Sequence, residues 1–152
     1  GSLHPPRPRA KVARMTCNAL KVLIVEDSPE VQRRLIEMLQ AGPGVQVVGC
    51  ADSAAEAISL ADAQRPDVIV LDVALRGSDR GYTLLRHLRH RCPQSKTIVL
   101  SNFTWEEMRE GFLQGGACAY FDKSLEFRKA RDWVFEQAAC KARQASQACA
   151  PG

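Results

Sequence analysis

The sequence predicts an α/β fold: a doubly wound, parallel five-stranded sheet with helices on both faces. Three observations predict it. Five short β-forming runs alternate with five stretches of helical periodicity, the pattern of repeated βα units. Val68-Ile69-Val70-Leu71 is apolar at every position, as a strand buried on both faces must be. Four of the five runs end in polar chemistry: Glu26-Asp27, Asp72, Ser101 and Lys123. In a parallel sheet those ends share one edge, where open α/β sheets bind their ligands.

Taken in order, Leu3 to Asn18 has prolines at 5, 6 and 8 and no periodicity. It reads as an unstructured leader behind an expression scar, Gly1-Ser2, with Met15 as a candidate natural start. Lys21 to Val25 is the first strand. Ser28 is a helix N-cap with Pro29 at the first helical position. Val31, Leu35, Met38 and Leu39 then form one helical face, and Gly42-Pro43-Gly44 stops it. Val45 to Cys50 is the second strand. Ser53 caps a helix with Ala54, Ala57, Ile58 and Ala61 inward, ended before Pro66. Val68 to Asp72 is the third strand, followed by a Gly-rich loop from Gly77 to Gly81. A helix carrying Leu84, Leu85 and Leu88 closes at Cys92-Pro93. Thr97 to Ser101 is the fourth strand, and Thr104 to Leu113 a helix ended by Gly115-Gly116. Ala117 to Phe121 is a short fifth strand. The last helix starts near Glu126, with Phe127, Ala130, Val134 and Ala138 on one side, and fades into an Ala/Gln/Ser-rich tail. The predicted organisation is a leader (1–18), one domain (19–142) and a C-terminal tail (143–152).

Composition narrows the function. The 152 residues are 45% hydrophobic and 25% charged, ordinary for one globular domain with its own core. No apolar run approaches the ~20 residues that cross a bilayer, and the N-terminus lacks the apolar segment of a secretory signal. The six cysteines (17, 50, 92, 118, 140, 149) form no C-x-x-C pair and have no nearby histidine spacing. That argues against zinc and for free thiols in a reducing cytoplasm. The net charge of +4 comes from Arg7, Arg9, Lys11 and Arg14 in the leader; the remainder balances at 17 basic and 17 acidic residues. A neutral folded part argues against nucleic-acid binding.

The strand-end residues carry the chemistry. Three carboxylates sharing a pocket repel one another unless a cation sits among them. A hard divalent ion with oxygen ligands, Mg²⁺ by preference, relieves that cost. A lysine opposite adds a second positive charge and a serine hydroxyl a hydrogen bond, a set suited to a phosphoryl group on an aspartate nucleophile.

The motifs Val22-Leu23-Ile24-Val25-Glu26-Asp27-Ser28, Val68 to Val73, Ile98 to Asn102 and Ala119 to Lys123, in this order at successive strand ends, resemble the receiver domain of two-component response regulators over about Leu20 to Ala142. The resemblance implies a flavodoxin-like strand order, 2-1-3-4-5. It implies Asp72 as phosphoacceptor and Asp27 as a direct Mg²⁺ ligand. Glu26 would bind Mg²⁺ through water and Ala74 through its backbone carbonyl. Ser101 would bond a phosphoryl oxygen, Lys123 would pair with the phosphate, and Tyr120 would move inward with Ser101. The chain departs from the family pattern at Ser124, where a proline after a cis bond is usual. It departs also at Asn102, where a smaller residue is usual, and in the loop from Arg76 to Gly81. The run from Asp122 to Phe127 is similar to short stand-alone receivers.

Alone, each residue has a plainer reading: Asp72 and Ser101 as caps, Tyr120 as core, Lys123 as a surface lysine. The four motifs together outweigh these. His4, His87 and His90 are phosphohistidine candidates by residue type only, and His87 and His90 fit the solvated face of an Arg-rich helix. Trp133 and Phe135 fit semi-buried packing better than an interface. The resulting expectation is a cytoplasmic single-domain response regulator, without enzymatic output. It would be phosphorylated by a sensor histidine kinase or histidine phosphotransfer protein and act on a downstream protein through the fourth-helix, fifth-strand and fifth-helix face; a homodimer is admitted. The alternatives are a receiver cut from a longer regulator with a DNA-binding or enzymatic output domain, and a receiver-like binding module that is never phosphorylated.

Overall fold

The computed structural model describes residues 18–73, 78–103 and 105–148. Leader residues 1–17, Ala74, Arg76, Gly77 and Thr104 lie outside them. The elements are β1 (Leu20–Val25), α1 (Pro29–Gln40), β2 (Val45–Ala51), α2 (Ala54–Gln64), β3 (Val68–Val73), α3 (Ser78–Arg91), β4 (Lys96–Ser101), α4 (Glu106–Gln114), β5 (Ala119–Asp122) and α5 (Phe127–Ala148). The five strands make one sheet in the order β2-β1-β3-β4-β5, every pair parallel. This is the predicted flavodoxin-like order.

Side chains of a strand alternate between sheet faces, and here both faces are apolar. Val22, Ile24, Val68, Val70, Ile98 and Leu100 pack with Leu35 and Leu39 of α1 and Ala130, Val134 and Ala138 of α5. Leu23, Val25, Ile69, Leu71, Val73 and Val99 pack with α2, α3 and α4 through Ala57, Ala61, Leu84, Leu85, Leu88 and Phe112. Fully burying each of these larger side chains contributes about 1.5–3 kcal/mol. Trp133 and Phe135 are partly buried against the first of these layers, the packing role the sequence favoured.

Both predicted serine caps form. Ser28 Oγ accepts from the Val31 N–H at 3.4 Å and Ser53 Oγ from the Glu56 N–H at 3.2 Å. Five details differ from the sequence reading. Ala54 is exposed, because it is the first helical residue and lies beyond the sheet-facing stripe. Gly81 lies inside α3 rather than closing a loop; a Cβ there would stand 3.0 Å from Val73 Cγ2, so the glycine lets α3 approach β3. α4 begins at Glu106, two residues late, and β5 at Ala119, since Ala117 N–H still bonds back to Phe112 O. α5 runs on to Ala148, past the expected boundary at 142. Its far half is tied to the opposite sheet edge, where Lys141 Nζ donates to Asp67 Oδ2 at 2.8 Å and Ala19 O at 2.9 Å.

Candidate functional site

The carboxyl ends of β1, β3, β4 and β5 bring the strand-end residues to one edge. Register places Asp72 beside Leu100 and Val73 beside Ser101, while Ser101 stands beside Asp122. The Lys123 N–H continues the ladder to Ser101 O at 2.8 Å. Residues up to 97 positions apart in sequence thus meet.

The centre is an ion cluster. Lys123 Nζ lies 2.5 Å from Asp72 Oδ2 and 3.4 Å from Glu26 Oε2. Glu26 is 6% exposed and the Asp72 side chain 5%. Burial pushes the Glu26 carboxyl above the usual carboxylate range, and the adjoining Asp72 carboxyl pushes it further; the Ser28 N–H and Lys123 offset only part of this. For Lys123, burial favours the neutral amine, but hydrogen bonding and charge from Asp72, with Glu26 behind, raise the net value. Two carboxylates therefore face one ammonium. Asp72 Oδ2 is buried and, although paired in charge, has no aligned hydrogen-bond donor among the described residues.

That arrangement decides how the expected Mg²⁺ fits. Glu26 and Asp72 are an oxygen donor pair with excess negative charge and an orphaned buried oxygen, the chemistry a hard cation satisfies. Asp27, expected as a direct ligand, is exposed at the rim, and among the described residues no three acids or histidines converge closely enough to hold a metal. The expected three-carboxylate cluster is thus a pair with a third carboxylate next in the chain. Ala74, the expected carbonyl ligand, lies outside the described residues.

Ser101 is fully buried. Its Oγ accepts the Phe103 N–H at 3.0 Å, while Tyr120 Oη donates to Phe103 O at 2.5 Å. The Phe103 peptide groups are thereby clasped between the two expected switch residues, an arrangement the sequence reading missed because it is made by backbone. Tyr120 is 4% exposed and already inward, packed on Phe112 with ring centroids 5.9 Å apart. Burial pushes its phenol up, with the Ser101 hydroxyl lowering it in part.

The departures in the sequence are resolved locally. Every peptide bond among the described residues is trans, Lys123–Ser124 included, yet Lys123 reaches Asp72. Asp122 Oδ1 accepts the N–H groups of Ser124 and Leu125 at 2.8 and 2.9 Å, and Glu126 Oε1 accepts the Asp122 N–H at 3.0 Å. This reciprocal capping fixes the loop without proline, and the Asp122/Glu126 spacing was its legible signal. It also holds the Glu126 carboxyl below the usual range. Asn102 is exposed and its Oδ1 lies 3.5 Å from Ser124 Oγ, so the two departures meet at the rim.

The sequence pattern of the response regulator receiver domain matches residues 22–135. The chain is 42% identical over 110 residues to a protein-glutamate methylesterase/protein-glutamine glutaminase of Pseudomonas putida, covering 71% of this chain and 29% of that protein. It is 38% identical over 107 residues to the DNA-binding transcriptional activator DevR/DosR of Mycobacterium tuberculosis, covering 70% and 49%. The crystal structure of the response regulator domain of Thermotoga maritima CheB superposes with a TM-score of 0.67 at 25% identity, over 82% of this chain and 97% of that one. The chain thus spans less than half the length of these two curated relatives.

Proposed function

The chain belongs to the response regulator receiver domain family of two-component signalling, and from that premise we propose that Asp72 is its phosphoacceptor. The observation that carries this is the buried Asp72 carboxylate with Lys123 Nζ at 2.5 Å and Glu26 alongside. Asp72 Oδ attacks the phosphorus of a phosphohistidine on a kinase or phosphotransfer protein. The new P–O bond forms as the P–N bond breaks, and the imidazole leaves with a proton. Lys123 stays on the phosphoryl oxygens, because it is held from its own backbone by Ser101 O. Ser101 accepts from Phe103, so its own O–H remains available to a phosphoryl oxygen. Water attacking the same phosphorus returns Asp72 and inorganic phosphate.

Mg²⁺ held by Glu26 and Asp72, with Asp27 turned in from the rim and the Ala74 carbonyl, would supply charge neutralisation. Output passes through the face of α4, β5 and α5, where Glu106, Arg109, Tyr120, Asp122, Leu125, Glu126 and Lys129 line a cavity of about 490 Å³. Tyr120 belongs to both the switch and this cavity. The domain acts in the cytoplasm, has no catalytic output of its own, and binds a downstream protein there. A second reading turns the same face to an output domain on a longer polypeptide. It is favoured by relatives of which this chain spans 29% and 49%.

The test is acetyl phosphate with Mg²⁺ on the full chain, followed by intact mass and by tryptophan emission. Trp105, 60% exposed and tilted at 43° to the Phe103 ring with centroids 5.7 Å apart, reports the clasp. One phosphoryl group and an emission change are expected in wild type and neither in Asp72→Asn. Equal behaviour of the two proteins overturns the assignment.

A further inference from the structure

The outer face of α3 is used by neither the ion cluster nor the output cavity. Tyr82, Thr83, Arg86, His87, His90 and Arg91 line a shallow depression of about 500 Å³. Among the described residues only Arg91 of this set has a carboxylate partner, Asp62 at 2.5 Å. The helix has a single acid, Asp79, in its first turn. Cations in the last turn favour the helix dipole, but Arg86 and His87 stand a turn earlier and that term does not reach them. The neutral total for the folded part therefore conceals a polarised surface.

The neighbours restrict the occupant. α2, α3 and α4 share one sheet face. α2 carries Glu56 and Asp62, the latter paired with Arg91, and α4 carries Glu107 and Glu110 besides Glu106 on its output-cavity side. The positive stripe is one helix wide, and packed helix axes are roughly 8–10 Å apart. A nucleic-acid duplex is broader than that and would lay phosphates over the flanking acids. A single polypeptide segment fits along the stripe. One end of the stripe also touches the switch: the Tyr82 ring stands 5.9 Å edge-on to Phe112, and Phe112 stands 5.9 Å from Tyr120.

We propose that the outer face of α3 is a second docking surface, which takes a narrow acidic polypeptide segment and couples its occupancy to Tyr120 through Tyr82 and Phe112. Only the description of Tyr120 as a switch rests on the phosphorylation reading; docking and coupling are measured without phosphate. A ligand can shift Tyr120 only as far as it binds one arrangement of the row better than another.

A fluorescein-labelled oligo-glutamate peptide is titrated into the full chain and followed by anisotropy. Arg86→Glu is expected to weaken binding about tenfold. Arg128→Glu, an equal charge change at an exposed position of α5, leaves it within about twofold. Equal loss in both variants, or tighter binding by a short DNA duplex that Arg86→Glu abolishes, overturns the acidic-segment assignment. For the coupling, saturating peptide is expected to change tryptophan emission in wild type and not in Phe112→Leu, whose site is buried beneath the docking face and outside its lining, with peptide affinity kept. No change in wild type, or an unchanged response in Phe112→Leu, refutes the aromatic route. Failure of Asp72 to be phosphorylated, by contrast, overturns the proposed function and leaves both outcomes standing.

Discussion

Removing the Lys123 charge gives the sharpest test of the ion cluster. At an effective dielectric of about 20, an ammonium 2.5 Å from Asp72 and 3.4 Å from Glu26 is attracted by roughly 7 and 5 kcal/mol before desolvation. Most of that attraction is offset by taking the three groups out of water, which is why breaking a buried pair costs only about 3–5 kcal/mol. Lys123 keeps 20% side-chain exposure, so the lower end applies. Lys123→Met is expected to lose about 3 kcal/mol, a large part of the roughly 5–15 kcal/mol that holds a domain. Asp72→Asn relieves the repulsion on Glu26 and should be neutral or stabilising alone. Adding it to Lys123→Met should recover about 2 kcal/mol, since only Glu26 then stays unpaired. The assay is urea unfolding at pH 7 in EDTA on all four proteins of the cycle. A coupling energy within about 0.5 kcal/mol of zero would refute the claim that Lys123 neutralises Asp72.

Two further outcomes follow from the same neighbourhood. Glu26 has a folded pKa above its unfolded one, so the folded state binds the extra proton and stability falls as pH rises from the ordinary carboxylate range through the raised value. Glu26→Gln keeps the acceptor for the Ser28 N–H and should raise Tm at pH 7, with the gain shrinking towards pH 4; a gain independent of pH would assign it to packing instead. Tyr120→Phe removes the donor to Phe103 O and should cost about 1 kcal/mol in urea unfolding while altering Trp105 emission. An unaltered spectrum would mean that the clasp does not position the β4–α4 loop.

How much was legible depends on how local each signal is. The five strands, the Ser28 and Ser53 caps and the faces built on Leu35, Leu39 and Leu84 to Leu88 were read correctly, because periodicity and capping act within a few residues. Element ends were less legible. Thr104 and Ala117 match the patterns of the elements they adjoin, and only the bond from Ala117 to Phe112 O decides where β5 begins. Gly81 looked like loop punctuation and is a close-packing position, a difference visible only with Val73 opposite it.

By itself the sequence determined the α/β architecture and placed Glu26, Asp72, Ser101 and Lys123 at strand ends, because apolar runs ended by polar residues leave a parallel sheet one chemical edge. Tertiary structure alone decided what those residues do to one another. It paired Asp72 with Lys123 across a trans Lys123–Ser124 bond, left Asp27 at the rim, and set Tyr120 inside already. It also turned the histidine and arginine residues of α3 into one stripe between acidic helices. Distances between side chains arise from the packing of elements far apart in sequence, and a charge count has no direction until the fold gives it a face.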